Sequence, residues 1–458
     1  MLTRRQILQS TSSGFGYLAF AGISAAQAAN EAARNDPLAA KTPHFEARAK
    51  RVIFLCMQGG PSHVDSFDYK PALTKDHGKP GKYGGSLLKS PWQFRQRGKS
   101  GLWISDLFPN VAEQADQLTL IRSMQCDQPL HPGAMTQLHT GTAQFLRPSL
   151  GAWSLYGLGT ENDSLPGFIA LKPSSSGSRN FGSAFLPAIY SGTKVGRSSR
   201  VPQRAARGGT SESVADIKNP ALSKQQQRTQ LDLIQALNRE KLRRDKVQPG
   251  VDGIIESYEL AFRMQDAMPA LMDTSKETQA TLSMYGADGG PTEDFGMQCL
   301  RARRFVEAGV RFVELGLTGW DSHSNLSEEH KTRAEMCDKP IAGLLHDLKQ
   351  RDLLKDTLVI WCGEFGRTPA AQSGDGRNHN NKGYTSWMAG GGVKGGFSYG
   401  MTDEHGFEAV EDKCHIHDFH ATILHLLGLD HERLTYRYAG RDFRLTDVHG
   451  KVAEDILV

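Results

Sequence analysis

Carboxylate and imidazole side chains recur in this sequence directly after apolar runs of strand-like composition. Asp321 and His323 follow "VRFVELG", and Glu364 follows "TLVIWCG", with His379 fifteen residues further along. This combination of side chains is the ligand mixture that proteins use for zinc, manganese and iron. The pattern therefore predicts that separate segments of the chain together bind a divalent metal ion.

The apolar run "RVIFLCM" is followed by polar side chains in the same way. His63 and Asp65 come shortly after it, beyond a Gly-Gly-Pro turn. In an open α/β sheet, ligands bind beyond the carboxyl ends of the strands, where all of these side chains are expected to lie. We expect one metal centre formed by Asp321, His323 and His379, with Glu364, Asp65 and His63 completing it or holding a second metal.

Each candidate ligand also has a simpler interpretation. A lone His63 is more often a hydrogen-bonding loop residue, and His417, beside Asp418 in "HIHD", is more often a residue at the start of a helix. An Asp-x-His can be a solvated carboxylate with a capping histidine. Three such positions at successive strand ends favour the metal interpretation over these alternatives.

Helical and strand-like segments alternate in the second half of the sequence. "FGMQCLRARRFVEAG" and "KPIAGLLHDLKQRDLL", the second beginning near Pro340, have helical periodicity and flank the apolar runs. Such alternation predicts an α/β fold with a mostly parallel central sheet and helices on both faces. We expect a single domain over residues 51–458, with an insert at 174–285 that is polar at first and helical from about 221.

Composition narrows the possible functions. The chain has 458 residues and a net charge of +4, which gives no reason to expect nucleic-acid binding. It has no apolar run long enough to span a membrane stably. The six cysteines show no C-x-x-C spacing, so no structural zinc motif is predicted and their pairing stays open.

The first residues have the features of an export signal. Arg4 and Arg5 precede a weakly apolar stretch, and Ala26-Gln27-Ala28 fits an A-x-A cleavage site. This order predicts a twin-arginine signal peptide at residues 1–28, followed by a linker at 29–50. We therefore expect export to the periplasm or cell surface, with the twin-arginine translocase as a transient partner.

Several longer motifs carry a resemblance to a known family. "GGPSHVDSFDYKP", "WDSH", "GEFGRTP" and "GRDFRLTDVHG" are spread over nearly the whole chain after residue 50. Together with the twin-arginine leader they resemble the exported family DUF1501. More broadly, "CGEFGRTPAAQSGDGRNHNNKGYTSWMAGGGVKGG" resembles the metal-binding segment of the alkaline phosphatase and sulfatase superfamily. The resemblance implies an alkaline phosphatase-like fold and a divalent cation such as zinc, manganese or calcium.

The chain departs from that superfamily at several positions. The first-strand Asp ligand falls on Gln58, and the usual Asp-His pair falls on Glu364 and Phe365. His131 stands where the superfamily has its nucleophile, and it is open as a ligand, a general acid/base or a nucleophile. Cys126 is displaced and lacks the x-P-x-R that follows a sulfatase cysteine.

Two functions follow as alternatives. The first is an exported metal-dependent hydrolase whose site is reduced to a single metal. Its substrate would be a phosphate or sulfate ester of a small molecule or a polysaccharide. In it, His131 would be catalytic, and Arg367 and Lys394 would contact the anion, since arginine forks onto two oxygens. The second is a non-catalytic exported protein that kept the fold and binds a ligand or assembles at the cell envelope.

Overall fold

The computed structural model describes residues 36–173, 178–196, 221–245 and 249–458. The signal peptide expected at residues 1–28 lies outside these ranges. So do the first residues of the expected linker and most of the polar stretch that opens the expected insert. The strands, in chain order, are β1 (Arg51–Gln58), β2 (Phe94–Arg97), β3 (Leu102–Ser105), β4 (Leu118–Gln125), β5 (Phe168–Leu171), β6 (Thr193–Val195), β7 (Phe312–Thr318), β8 (Thr357–Cys362), β9 (Gly366–Gln372), β10 (Gly376–Asn380), β11 (Tyr384–Ala389), β12 (Phe397–Tyr399), β13 (Met401–Thr402), β14 (Ala409–Glu411), β15 (Cys414–His415), β16 (Tyr436–Tyr438) and β17 (Arg441–Phe443).

A mostly parallel sheet forms the centre of the described part of the chain. Its order is β12-β4-β11-β8-β1-β7-β5-β6, with β15 also paired to β4. β1 pairs in parallel with both β7 and β8, whereas β11 is antiparallel to both β4 and β8. Because β11 alone is reversed in this path, β1, β4, β7 and β8 all end at the same edge of the sheet.

The central strands are covered on both faces. β8 and β11 are buried at every position, and β1 at every position after Arg51. Successive side chains of a strand point to opposite faces, so burial without alternation requires helices on each side, as is typical of parallel sheets. The predicted α/β class, with a mostly parallel sheet between helices, is confirmed.

The α-helices are spread along the whole of the described chain. They are α1 (His63–Ser66), α2 (Pro71–Lys75), α3 (Pro109–Ala112), α4 (His131–Thr140), α5 (Leu150–Leu158), α6 (Lys224–Asp245), α7 (Pro249–Met272), α8 (Gln279–Met284), α9 (Glu293–Glu307), α10 (Leu326–Gln350) and α11 (Ile416–Leu426). Helices α6 to α8 occupy the region where helical periodicity begins near residue 221. No helix among the described residues has the length and apolar character to cross a membrane.

Helix α10 corrects one prediction about the helix near Pro340. It begins at Leu326, so Pro340 lies inside the helix and not near its start. An internal proline removes one helical hydrogen bond and crowds the preceding turn. The buried face nevertheless continues through it with helical spacing, at His330, Ala334, Cys337, Ile341 and Leu344. Burial of that face therefore outweighs the local cost of the proline.

Candidate metal centre

The shared carboxyl edge of the sheet gathers four of the predicted site segments. His131 is the first residue of α4, just after β4; Asp321 and His323 follow β7, and Glu364 follows β8. His379 lies in the β9–β10 hairpin, whose register places it opposite Arg367. Residues that are far apart in sequence therefore meet because their strands end side by side.

One carboxylate oxygen, Asp321 Oδ1, is the focus of the cluster. The Nε2 atoms of His131, His323 and His379 lie 3.1, 3.0 and 3.2 Å from it. The Nε2 atoms of His323 and His379 are also 3.0 Å from each other. Ligand atoms of His131, Asp321 and His379 all lie within 4.8 Å of one another. Four potential donor atoms thus converge on one small volume.

The second nitrogen of each ring shows which atom is free to bind a metal. Nδ1 of His131 lies 2.6 Å from Glu364 Oε1, and Nδ1 of His323 lies 2.7 Å from Gln372 Oε1. Nδ1 of His379 lies 2.8 Å from the carbonyl oxygen of Pro129. All three partners are acceptors, so each neutral ring carries its hydrogen on Nδ1 and presents the Nε2 lone pair to the cluster. Metal-binding histidines are held by this kind of outer contact.

The spacing of these donor atoms fits a small divalent cation. Two ligands bound about 2.0–2.1 Å from a tetrahedral zinc lie about 3.3–3.4 Å apart. The separations of 3.0–3.2 Å around Asp321 Oδ1 are close to that value. Lone pairs that face each other at this range repel unless a cation or a proton lies between them. The residues present therefore fit a metal held by imidazole and carboxylate.

Glu364 was a predicted ligand, but the structure places it behind the cluster. Its carboxylate accepts the Gly59 N–H at 3.0 and 3.2 Å and binds His131 Nδ1. The side chain is only 1% exposed, so these contacts hold it in place. Glu364 therefore orients the His131 ring, as the carboxylate does in a carboxylate–histidine–metal arrangement.

Arg367 was predicted to contact a substrate anion, but its donors are largely engaged by the protein. Nε donates to the carbonyl oxygen of Gly60 and Nη1 to that of Arg377, while Nη2 donates to the Gly59 carbonyl and to Asp321 Oδ1. An arginine has five N–H donors, and four of them are used here. Arg367 is fully buried, and its geometry makes it a positioning residue for Asp321.

Electrostatics keep Asp321 ionised. Partial burial works against its charged form, but Arg367 and then His131 outweigh it and hold the pKa of Asp321 far below its usual range. Burial likewise disfavours protonated His131, yet Glu364 and Asp321 raise its pKa overall. Burial lowers the pKa of His379, and the charge of Arg367 adds to that effect. The cluster thus combines an anionic carboxylate with a neutral imidazole, which are the forms that bind metals.

The cluster is open to solvent on one side. The side chains of Asp321, His323 and His131 are 44%, 39% and 29% exposed. On the inner side, the buried Phe365 ring packs against His131 and His379 with centroid distances of 4.7 and 4.6 Å. Phe365 therefore forms an apolar floor, and a molecule can approach the donors from the solvent side.

Gly59 allows the loops of the cluster to pack this closely. Its φ of +114° is in the region that favours glycine, and a Cβ there would lie 2.6 Å from the backbone nitrogen of Asp321. Any side chain at this position would push the Asp321 loop away from Glu364. The Gly-Gly-Pro turn seen in the sequence is thus part of the support of the cluster.

Asp65 and His63 do not join the cluster, which corrects their prediction as ligands. Asp65 is fully buried and forms a paired contact with Arg377, at 2.7 and 3.1 Å, and accepts from Ser62. His63 is also buried, and its Nε2 contacts the carbonyl oxygen of Gly406 at 2.9 Å. Both follow β1 in sequence, but α1 carries them into the protein interior, where these partners engage them.

Lys394 lies at the opposite edge of the sheet, which corrects its prediction as an anion contact. It follows β11, the reversed strand, so it emerges where β4 and β8 begin. Its carbonyl oxygen accepts a hydrogen bond from Thr119, at the start of β4, and its Nζ donates to the carbonyl oxygen of Asp455 at 2.7 Å. The direction of a single strand therefore separates Lys394 from the cluster.

A family comparison covers almost all of the described fold. The family described as "Protein of unknown function (DUF1501)" matches residues 49–457. The chain belongs to the DUF1501 family. No match was found among curated protein sequences.

Several solved structures are similar to this DUF1501 chain at low sequence identity. The PsFucS1 sulfatase from Pseudoalteromonas sp. aligns with TM-score 0.34 and 14% identity over 84% of this chain and 69% of its own. The lipoteichoic acid synthase LtaP from Listeria monocytogenes aligns with TM-score 0.35 and 8% identity over 90% and 79%. An alkaline phosphatase from the Antarctic bacterium TAB5 aligns with TM-score 0.31 and 12% identity over 78% and 95%.

Two contacts of the DUF1501 cluster were missed by the sequence reasoning. The carbonyl oxygen of Pro129 and the side-chain amide of Gln372 hold the rings of His379 and His323. A backbone carbonyl leaves no sequence signal, since every residue has one. Gln372 lies at the end of β9, and only its distance to His323, 49 positions earlier in the chain, shows its role.

Proposed function

We propose that this protein is a metal-dependent hydrolase of phosphate or sulfate esters. The observation that carries the proposal is the convergence of three imidazole Nε2 atoms on Asp321 Oδ1, with each ring held at Nδ1 by an acceptor. A divalent cation bound there would polarise an ester oxygen and lower the pKa of a water molecule toward about 7. Zinc, manganese and iron are the cations that proteins hold with this mixture of imidazole and carboxylate.

The residues of the cluster would have different roles in such a site. His131, His379 and Asp321 would hold the cation, and His323, the most exposed of the three histidines, would close the ligand set on the solvent side. Glu364 and Arg367 fix the orientation of His131 and Asp321. Water is the nucleophile in this proposal, because Cys126 is buried and burial raises the pKa of its thiol to about 12.

A neighbouring cavity supports the proposal of an ester substrate. It has a volume of about 360 Å³ and shares His379 with the cluster. Nearby, the exposed Tyr83 ring and the ammonium group of Lys382 lie 4.4 Å apart. The cavity lining offers amides, an aromatic ring and a cation to the non-reacting part of a substrate, at Asn378, Asn380, Asn381, Gln372, Tyr83 and Lys382. Such groups suit a polar or anionic small molecule or saccharide.

The alternative of a non-catalytic binding or cell-envelope protein has one observation in its favour. Four donor atoms already surround the site, and a closed set of four protein ligands is typical of structural zinc. Gln58 and Phe365, which replace superfamily ligand positions, agree with it. Solvent exposure of Asp321 and His323 favours the hydrolase, because a structural metal is usually enclosed.

The test uses the purified chain reconstituted with zinc or manganese and assayed with aryl phosphate and aryl sulfate. We expect about one equivalent of cation at the cluster and hydrolysis of one ester class. Asp321→Asn and His379→Gln should each remove that cation and reduce turnover to background. The matched control is Asp352→Asn, since Asp352 is exposed and pairs with Lys355 at the surface.

The contrary outcomes are distinct. A chain that binds no cation at the cluster, or an Asp321→Asn variant with unchanged metal content, overturns the metal centre itself. A cation lost in Asp321→Asn but without hydrolysis of either ester supports the non-catalytic alternative.

We also propose that the protein is exported by the twin-arginine route. The support is the order of Arg4, Arg5, an apolar stretch and an A-x-A site in the first 28 residues. Replacing both arginines by lysine keeps the charge but removes the twin-arginine pair. The variant should accumulate inside the cell in a fractionation assay, and unchanged export would contradict the proposal.

A further inference from the structure

Helix α4 connects the surface cluster to a second group of ionisable side chains in the core. His131, Met135 and His139 are spaced by four residues, so they lie along one face of the helix. His131 faces Asp321 and Glu364 at the surface. Two turns further, His139 faces Glu314 of β7, with Nε2 and Oε1 3.1 Å apart. Both of these side chains are about 95% buried.

Cys56 of β1 completes this core cluster. Ligand atoms of Cys56, His139 and Glu314 all lie within 4.8 Å of one another. The parallel register pairs Phe54 with Glu314, which places Cys56, two residues on, on the same face of the sheet as the carboxylate. Cys56 is itself opposite Gly316, which has no side chain to separate the thiol from its neighbours.

The orientation of His139 presents a lone pair to this group. Its Nδ1 lies 2.8 Å from the carbonyl oxygen of Met135, an acceptor, so the hydrogen of a neutral ring is on Nδ1. Nε2 and the Glu314 carboxylate then face each other as two acceptors, and a cation or a proton must lie between them. The contact of Nδ1 with a backbone carbonyl is the usual outer contact of a metal-bound histidine.

We propose that Cys56, His139 and Glu314 bind a zinc ion in the core of the protein. Thiolate, imidazole and carboxylate are the three ligand types that proteins use for zinc. Thiolate and carboxylate together carry two negative charges, so Zn²⁺ makes the buried set neutral, which is the condition for burying charge at low cost. On binding, the Cys56 thiol proton and the proton between His139 and Glu314 pass to solvent.

A small void beside His139 and Glu314 leaves room for a water molecule as the fourth ligand. It has a volume of about 10 Å³ and is lined by His139, Glu314, Phe54 and Phe312, among others. That is about the space that a single water molecule needs. Three protein ligands and one enclosed water make a four-coordinate zinc site that ties β1, β7 and α4 together. Its role is structural, because neighbouring core residues separate it from solvent.

The core site is independent of the proposed hydrolase activity and is tested without an activity assay. The full-length protein is reconstituted with cobalt, which replaces zinc and reports thiolate ligation by a near-ultraviolet charge-transfer band. We expect two cobalt ions per chain and this band in the wild type. Asp321→Asn should lose one cobalt and keep the band, whereas Cys56→Ser should lose one cobalt together with the band.

Cys126→Ser is the matched control, because Cys126 is also a buried free thiol and contacts the carbonyl oxygen of Glu364. It should keep both cobalt ions and the band. Zinc X-ray absorption of the wild type gives a second measurement that needs no variant, with a sulfur scatterer expected about 2.3 Å from the metal. Absence of sulfur from the zinc shell, or a band that survives Cys56→Ser, overturns the proposal.

Discussion

Two histidines on one face of α4 each meet a buried glutamate, yet the two pairs are built differently. In the surface pair, Glu364 contacts His131 Nδ1 and leaves Nε2 to face Asp321. In the core pair, a helix carbonyl contacts His139 Nδ1, and Nε2 itself faces Glu314. The surface glutamate thus orients a ring that serves a larger cluster, whereas the core glutamate is a direct partner.

Burial changes what each glutamate contributes. His131 is 29% exposed, so water can partly solvate it if Glu364 is lost. His139 is 5% exposed, so it has no such alternative when Glu314 is absent. We therefore expect the core glutamate to govern stability and the surface glutamate to govern metal affinity. The variants below test this division, from the largest expected effect to the smallest.

Glu314→Ala should have the largest effect, on stability. Removing one partner of a buried ionic pair typically costs about 3–5 kcal/mol, because the other group stays buried without compensation. The free energy of unfolding, measured by urea titration of chelator-treated protein, gives this value directly. Glu328→Ala is the control, since Glu328 is exposed in the first turn of α10 and should change stability by less than about 0.5 kcal/mol. Equal stability of the two variants would remove the distinction between core and surface.

Glu364→Gln should act mainly on the surface metal. The amide oxygen can still accept a hydrogen bond, but it no longer carries the charge that strengthens His131 as a ligand. Loss of such an outer partner typically lowers metal affinity about 10- to 100-fold. Competition with a chromophoric chelator measures the change, with Glu328→Gln as the control. An unchanged affinity would show that Glu364 has no part in metal binding.

The sequence predicted the fold class and most of the surface cluster because both follow from strand ends. Apolar runs identified β1, β7 and β8, and parallel topology then brings Asp321, His323 and Glu364 to one edge. His379 was predicted from its position fifteen residues after Glu364, in agreement with the resemblance, and the hairpin register explains how it reaches the cluster. The core cluster was not predicted, because Cys56 and Glu314 lie within strands and resemble ordinary buried positions.

The incorrect predictions for Asp65 and Lys394 have two physical causes. Position after a strand does not show which partner a residue finds, and it does not show which edge the residue reaches when the strand is reversed. Asp65 forms an ion pair with Arg377, 312 positions away in sequence, and no local sequence pattern predicts that pairing. Lys394 follows a strand whose direction is reversed, which only the hydrogen-bond ladder with β4 and β8 reveals.

Asp65 is a third buried carboxylate, in addition to Glu364 and Glu314. Its partner is the permanently charged Arg377 and not a histidine. Burial opposes ionisation of Asp65, but Arg377 outweighs it and lowers its pKa. Because the pKa of Asp65 is lower in the folded state, the ionised pair stabilises the protein fully at pH values above the unfolded pKa of about 3.9. This stabilisation is lost as the pH falls through the folded-state pKa of Asp65.

Asp65→Asn should therefore reduce the acid dependence of unfolding. Each unit by which the folded pKa is lowered corresponds to about 1.4 kcal/mol of stability at neutral pH. Urea titrations at about pH 7 and about pH 3 compare the variant with the wild type and with Asp352→Asn, whose carboxylate is exposed. Identical pH profiles for Asp65→Asn and the wild type would show that this pair does not contribute to acid sensitivity.

Lys394→Ala should have the smallest effect of the series, and it tests the edge assignment itself. Its ammonium group contacts the carbonyl oxygen of Asp455 and the face of Phe397, at the edge opposite the cluster. Ester turnover and metal affinity should stay within about twofold of wild type. An exposed contact contributes well below about 1.4 kcal/mol, which is the free energy that corresponds to a tenfold change.

Arg367→Lys is the informative counterpart, because a lysine cannot hold Asp321 and the Gly59 and Gly60 carbonyls together. If Lys394→Ala impaired turnover as much as Arg367→Lys, substrate would have to reach both edges of the sheet, and the metal cluster would not be the whole site.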